Sequence, residues 1–310
     1  RHNYAVLSDV IEQCDFVIAH LPSMIGNHAL ELARKRGIPT FAGIVGCGFE
    51  ALWFYNWKGK LMAIPSYIAM KKAIAHADYS FAVSQSYLQR RYPCPGPTMG
   101  ASNVEISTLD DMVLKKRLEK IENMDISHGN IQLVTLGGVD VPYKGFQFVI
   151  KAIAELNKSK VPKFYYHCIG GGDNTRLKKL VQKLNLTDYV IFHGSMSHDK
   201  VLMMLDDMDI YVHPSLTEGV PRSVIEALSR ALPAFGSAIP GVMELLPTQY
   251  VFPCKSVRHI VQLLSNITKK ELQKQAKQNF IKASEYSSDV LNARRSMFFE
   301  FILKKLMTRG

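Results

Sequence analysis

Two glutamates, Glu218 and Glu226, stand eight positions apart in the run His213-Pro214-Ser215-Leu216-Thr217-Glu218-Gly219-Val220-Pro221-Arg222-Ser223-Val224-Ile225-Glu226-Ala227-Leu228. A carboxylate accepts hydrogen bonds from both hydroxyls of a vicinal diol, so each glutamate could hold a ribose or a sugar ring. Pro221 suits the first turn of a helix, where its missing N–H is no loss. That reading puts Glu218 in a loop and Glu226 in the first turns of the helix after it, from which they can address different parts of one elongated ligand. The amides of Gly219 and Val220, near the helix N-terminus, can receive hydroxyls or partial negative charge. Either glutamate alone is equally compatible with an ordinary surface acid.

A cation for the same ligand is at hand. The apolar run Ile131-Leu136 leads into Gly137-Gly138-Val139-Asp140-Val141-Pro142-Tyr143-Lys144-Gly145 and then a helical pattern. Glycines after a strand let backbone amides approach a phosphate, and a lysine at the next helix start adds charge to that cluster. It is not a Walker A loop, because Gly145 follows Lys144 where Ser or Thr would stand. A second cluster, Gly170-Gly171-Gly172-Asp173, follows Phe164-Ile169 and reads as a tight turn or as a second place where a ligand meets bare backbone.

The elements that must carry these residues alternate. Phe16-His20, Thr40-Val45, Tyr79-Val83, Ile131-Leu136, Phe164-Ile169, Val190-His193 and Ile210-His213 read as strands. Gly26-Arg36, Ile64-Ala77, Phe146-Asn157, Thr175-Leu184, Lys200-Asp206 and Pro221-Ala231 read as helices between them. The class is α/β, with parallel sheets and ligand sites at strand ends. The polar stretch Ile121-Asn130 reads as a linker, which gives a first domain over 1–125, a second over 126–275 and a helical tail over 276–310.

The 310 residues are 47% hydrophobic with net charge +11, a composition that excludes disorder as the main state. The best apolar run, 37–49, stops at Glu50, short of the roughly 18 residues needed to span a bilayer. Five scattered cysteines form no C-x-x-C pair and read as reduced intracellular thiols, and no secretory signal opens the chain. Asp207-Met208-Asp209 reads as a helix end rather than a metal-binding pair. Residues 266–310 hold 10 Lys and Arg against 4 Asp and Glu, interleaved with Met297, Phe298, Phe299, Phe301, Ile302 and Leu303. Such a helix docks on another domain or lies on an anionic membrane surface. No recognition motif accompanies the charge, which argues against nucleic acid.

Taken in order, Lys144-Gly145, Gly170-Gly171-Gly172, Val190-Ile191-Phe192-His193-Gly194, the Pro-Ser-x-x-Glu-Gly-x-Pro run and Gly236-Ser237-Ala238-Ile239-Pro240-Gly241-Val242-Met243-Glu244 resemble the retaining glycosyltransferases of family 4, group 1, over about residues 131–250. Glu218 and Glu226 match that family's Glu-x7-Glu motif. The resemblance implies the GT-B fold, two Rossmann-like doubly wound domains facing across a cleft. It also implies a nucleoside diphosphate sugar as donor, with no metal and no cofactor. Lys144 would neutralise the diphosphate beside Gly137, Gly138 and Gly171. Met196 would line the base pocket, Glu226 would hold the ribose, and Glu218 with the Gly219 and Val220 amides would hold the donor sugar. Gly138 departs from the pattern: many relatives place a phosphate-binding arginine there, which shifts the load to Lys144 and leaves Arg222 as a substitute.

In the first half, Asp15-Phe16-Val17-Ile18-Ala19-His20-Leu21-Pro22 resembles the family strand whose histidine ends at the cleft, so His20 joins Glu218 and Lys144 as a catalytic candidate. The stretch Pro39-Trp53 reads as the next strand and resembles a branch that assembles bacterial capsule, exopolysaccharide or lipopolysaccharide, with Glu50 and Trp53 as cleft candidates. Against that pattern an opening strand and Gly-rich loop are missing ahead of Asp15, so the first domain reads as partial. The expectation is a retaining glycosyltransferase, cytoplasmic with peripheral membrane contact, acting on a glycan or lipid-linked acceptor. The alternatives are a sugar-nucleotide-binding subunit without catalysis and a sugar-nucleotide epimerase.

Overall fold

The computed structural model describes residues 2–104, 106–107, 109–158 and 163–308, with residues 2–4 in backbone only. The chain forms two compact units, Arg1–Asn103 with Asn292–Gly310, and Val104–Leu291.

The first unit runs α1 (His2–Glu12), β1 (Val17–Leu21), α2 (Met24–Lys35), β2 (Thr40–Ile44), α3 (Gly48–Trp53), α4 (Trp57–Ile74), β3 (Tyr79–Ala82), α5 (Tyr87–Arg91) and β4 (Thr98–Gly100). Its sheet is parallel in the order β1-β2-β3-β4. Strand β2 is buried throughout, as an inner strand covered on both faces must be. In β1 burial alternates, with Val17, Ala19 and Leu21 inside and Ile18 and His20 outside. Ser23 caps α2 by accepting from the Gly26 amide at 3.0 Å, and Ala29, Leu30 and Ala33 face inward. The strand expected over Thr40-Val45 is present, while the rest of the stretch to Trp53 is not extended. The strand stops at Ile44, and Gly48–Trp53 coils into α3, packed as a hairpin on α4.

The second unit runs α6 (Asp111–Asn123), β5 (Asn130–Leu136), α7 (Phe146–Leu156), β6 (Lys163–Ile169), α8 (Thr175–Lys183), β7 (Val190–Gly194), α9 (His198–Asp207), β8 (Ile210–His213), α10 (Arg222–Ser229), β9 (Ala234–Ser237), α11 (Pro240–Met243), β10 (Val251–Phe252), α12 (Val257–Ser265) and α13 (Lys269–Ser284). Its parallel sheet has the order β10-β9-β8-β5-β6-β7. Successive strands build outward from β5 in one direction and from β8 in the other. The loops that follow β5 and β8 therefore part at the point where the strand order reverses, the position at which open α/β sheets bind ligands.

The expected linker at Ile121-Asn130 is instead part of this unit. Ile121 is buried in its core, and the half of α6 before it is anchored by Arg117, whose guanidinium donates to the carbonyls of Leu205 at 2.8 Å and Arg230 at 3.3 Å and also to that of Met208. Three carbonyl acceptors make this nearly inaccessible charge tolerable, although burial still pulls it down to about 10. The expected boundary at 275/276 falls inside α13, whose Leu272, Ala276 and Phe280 join the same core. The chain returns to the first unit within α14 (Ser288–Met307), where Phe298, Ile302 and Leu306 pack with Phe41 and Tyr79 and Arg295 donates to the Ser102 carbonyl at 2.5 Å.

Candidate functional site

The loop after β5 and the loop after β8 are stitched together by backbone. Leu216 donates its amide to the Tyr143 carbonyl at 2.8 Å, and Ser215 Oγ donates to the same carbonyl at 3.3 Å. Gly145, at φ 79°, lies so close to the facing loop that a Cβ there would sit 2.1 Å from the Pro214 carbonyl oxygen. Only glycine allows both that conformation and that approach. The result is that Lys144 Nζ forms an ion pair with Glu218 Oε1, both side chains largely withdrawn from solvent. The stem of Lys144 crosses Gly137 to reach it.

Two further groups complete this end of the site. Ser215 Oγ lies 3.2 Å from Glu218 Oε1. His213, fully buried at the end of β8, places Nε2 3.9 Å from the same oxygen, and among the described residues that nitrogen has no hydrogen-bond partner. Its Nδ1 is 3.4 Å from the Tyr211 hydroxyl. Loss of hydration pushes His213 down to about 4, against the pull of Glu218, and Lys144 adds to the depression. The imidazole is neutral at physiological pH, with one nitrogen left for a ligand. In the sequence His213 reads only as a strand terminus, and Ser215 enters only as part of the Pro-Ser-x-x-Glu-Gly-x-Pro run. The available signal was their position, immediately ahead of Glu218 at a strand end.

Glu226 occupies the first turns of α10, mostly buried, 3.8 Å from His198 Nδ1. Burial is the main reason the Tyr211 phenol titrates above its ordinary range, and the charges of Glu226 and Glu218 both contribute. The two carboxylates thus bear on one buried hydroxyl. Among the described residues the amides of Gly219 and Val220 donate to no protein acceptor. That loop is backed by the Ile239-Pro240-Gly241 turn, where a Cβ on Gly241 would lie 1.7 Å from the Gly219 carbonyl oxygen.

The glycine loops stack rather than stand open. Gly137 donates to the Ile169 carbonyl at 2.9 Å, Val139 to Gly171 at 3.0 Å and Gly170 to Gly194 at 2.9 Å, extending the sheet pattern past its strands. The Gly137 amide is therefore committed to protein. Gly171 and Ser195 adjoin, which brings the loop holding Met196, a half-exposed side chain, beside the glycine turn. Arg222, at the N-terminus of α10, is exposed.

The first-unit candidates have other neighbours. His20 is exposed on β1 and meets Phe81 edge-on at 5.7 Å. Glu50 accepts a hydrogen bond from the Tyr87 hydroxyl at 2.5 Å, and burial together with that carboxylate drives the phenol upward. Trp53 stacks on Phe49 at 5.1 Å. Asp207 ends α9, and Asp209 is buried against Lys120 at 3.0 Å, so this pair of acids ties α6 to the sheet.

Residues 119–285, more than half of the chain, match the family model for glycosyl transferases group 1. The chain belongs to the group 1 glycosyl transferases. The matched range carries the Lys144–Glu218 pair and Glu226. The group 1 chain is 29% identical over 267 residues to Protein CapJ of Staphylococcus aureus, covering 84% of this chain and 65% of CapJ. It is 34% identical over 110 residues to the amylovoran biosynthesis glycosyltransferase AmsK of Erwinia amylovora, covering 33% of this chain and 27% of AmsK. The chain therefore spans less than two thirds of the length of these relatives. Among solved structures it is similar to the sucrose-phosphate synthase of Thermosynechococcus elongatus, with TM-score 0.72, 15% identity and coverage of 97% of this chain and 79% of that one. It is equally similar to Anabaena HepE in complex with UDP, with TM-score 0.72, 16% identity and coverage of 96% and 81%. The group 1 chain has the GT-B fold of these structures.

Proposed function

We propose that this chain transfers a sugar from a nucleoside diphosphate sugar to a glycan or lipid-linked acceptor in cell-surface polysaccharide assembly, with retention of anomeric configuration, and that it acts from the cytoplasmic side. The observation that supports the reading is the Lys144–Glu218 ion pair at the reversal of strand order, with Glu226 one loop further on. A diphosphate entering there offers Lys144 two negative charges in place of one. Lys144 turns to the diphosphate and Glu218 is released toward the hydroxyls of the donor sugar, which the Gly219 and Val220 amides and His213 Nε2 also meet. Glu226 takes the ribose diol.

In the transfer the bond from the anomeric carbon to the phosphate oxygen breaks and one to the acceptor oxygen forms on the same face. The acceptor proton passes to the departing phosphate, whose growing charge Lys144 stabilises. No step calls on a metal. His20, on β1, is kept as a candidate for contact with acceptor or donor. The UDP and glucose of an Anabaena HepE structure give the first donor to try.

The test is incubation of the protein with radiolabelled sugar nucleotides and a membrane lipid extract. Label in the lipid fraction, lost in Glu218→Gln, supports the reading. Binding with neither transfer nor slow donor hydrolysis would replace it with a sugar-nucleotide-binding subunit.

A further inference from the structure

Helix α4 is apolar on two opposite faces. Ala63, Met70 and Ile74 point into the first unit, while on the outer side Trp57, Leu61, Ile64 and Ile68 are 69, 70, 57 and 58% exposed. Their spacing of four, three and four residues lays them along a single stripe. At about 100° per residue, Lys60 and Lys71 border that stripe on one side and Lys58 and Lys72 on the other. Tyr55, 74% exposed, and Trp53 extend it at the N-terminal end, with Lys60 over the Trp53 ring at 5.6 Å. From 51 to 77 the chain has four lysines and no Asp or Glu.

We infer that α4 is a membrane-docking helix that lies flat in the headgroup layer of an anionic bilayer. An exposed run of Trp, Leu and Ile has no reason to persist in water. Indole rings favour the lipid–water interface, and lysines flanking an apolar stripe gain from anionic headgroups. A second copy of the chain fits less well, because an isologous contact would set the same lysines against each other while the stretch 51–77 brings no acid of its own. Among the described residues no helix is long and apolar enough to cross a membrane, so the contact is in-plane. The inference rests on α4 alone and stands whether or not the protein transfers sugar.

The protein contains only two tryptophans, Trp53 and Trp57, so its indole fluorescence reports on this element. Vesicles of phosphatidylcholine with phosphatidylglycerol should shift the emission to shorter wavelength, and brominated lipids should quench it. Phosphatidylcholine alone or high salt should weaken both effects. Trp53→Phe should keep the response in Trp57. Replacing Lys58, Lys60, Lys71 and Lys72 together by Gln should weaken partitioning roughly a hundredfold or more. Leu61→Glu with Ile64→Glu should abolish it while circular dichroism and melting temperature stay unchanged. Phe301→Glu with Leu303→Glu on the last helix should leave it intact. The inference is overturned if the protein ignores anionic vesicles or if it pellets with them while Trp57 emission stays put. It is equally overturned if the Leu61/Ile64 variant only converts a dimer to a monomer.

Discussion

Lys144 and Glu218, 74 positions apart, share an ion pair that two hydrogen bonds from the β8 loop to the Tyr143 carbonyl hold in place. In the proposed reading the cation is stored on a carboxylate until the diphosphate arrives, and the same event that engages Lys144 frees Glu218. Glu218→Gln should accordingly lower kcat roughly a hundredfold with little change in donor KM. Glu226→Gln should raise the Kd for the nucleotide roughly tenfold or more, through loss of a charged hydrogen bond to the ribose. Steady-state kinetics and calorimetric titration of UDP separate the two, and identical profiles for both variants would sink the division of labour.

Gly138 can accept the arginine that many relatives carry. A Cβ there would meet Asp140 Oδ1 at 3.1 Å and Val141 Cγ2 at 3.2 Å, both side-chain atoms able to shift slightly. Gly138→Arg should bind UDP about fivefold more tightly by adding a charge-assisted phosphate contact. Titration of UDP against uridine, which lacks the phosphates and should show no gain, checks the cause.

Gly145 should not tolerate a side chain. Its φ of 79° and the 2.1 Å approach to the Pro214 carbonyl predict that Gly145→Ala loses about 2 kcal/mol or more of stability and pulls Lys144 off Glu218. Urea unfolding and the UDP affinity of the same variant should fall together.

Acid should weaken the fold through its buried histidines. His213 and His167 are each held down to about 4, mainly by burial, and in His167 also by the neighbouring His193. Unfolded, they take up protons near 6.5, so below that pH the unfolded chain binds more protons than the folded one. Stability is then full above about 6.5, falls as pH drops toward about 4 and levels off beneath it, with His213 accounting for on the order of 3 kcal/mol. His213→Gln should show a flatter dependence of melting temperature on pH across that window. An unchanged slope would mean that His213 does not govern it.

How much of this was legible in the residues depends on how local the signal is. The strand from 131 to 136 and the helix after Pro221 carry their own signal in short runs, and they were readable. Strands β9 and β10, four and two residues long, offer no alternation to read, because their burial comes from neighbours rather than from their own pattern. The end of helix α6 falls within the stretch read as a polar linker because Arg117 and Lys120, which fasten the helix to distant carbonyls and to Asp209, leave no periodicity to read. His213 escaped notice because its importance lies in a ring nitrogen left unpaired by folding. The outer stripe of α4 was hidden by the equally apolar inner face, which makes the helix look uniformly buried.

The first unit is discontinuous in sequence, since it is completed by residues from 292 onward. During synthesis the sheet face of Phe41 and Tyr79 leaves the ribosome bare and waits roughly two hundred residues for Phe298 and Ile302 to emerge. The later-made unit can finish folding while the earlier one still displays aromatic surface. Nascent chains stalled just before the last helix should therefore be captured by chaperones that hold exposed apolar segments.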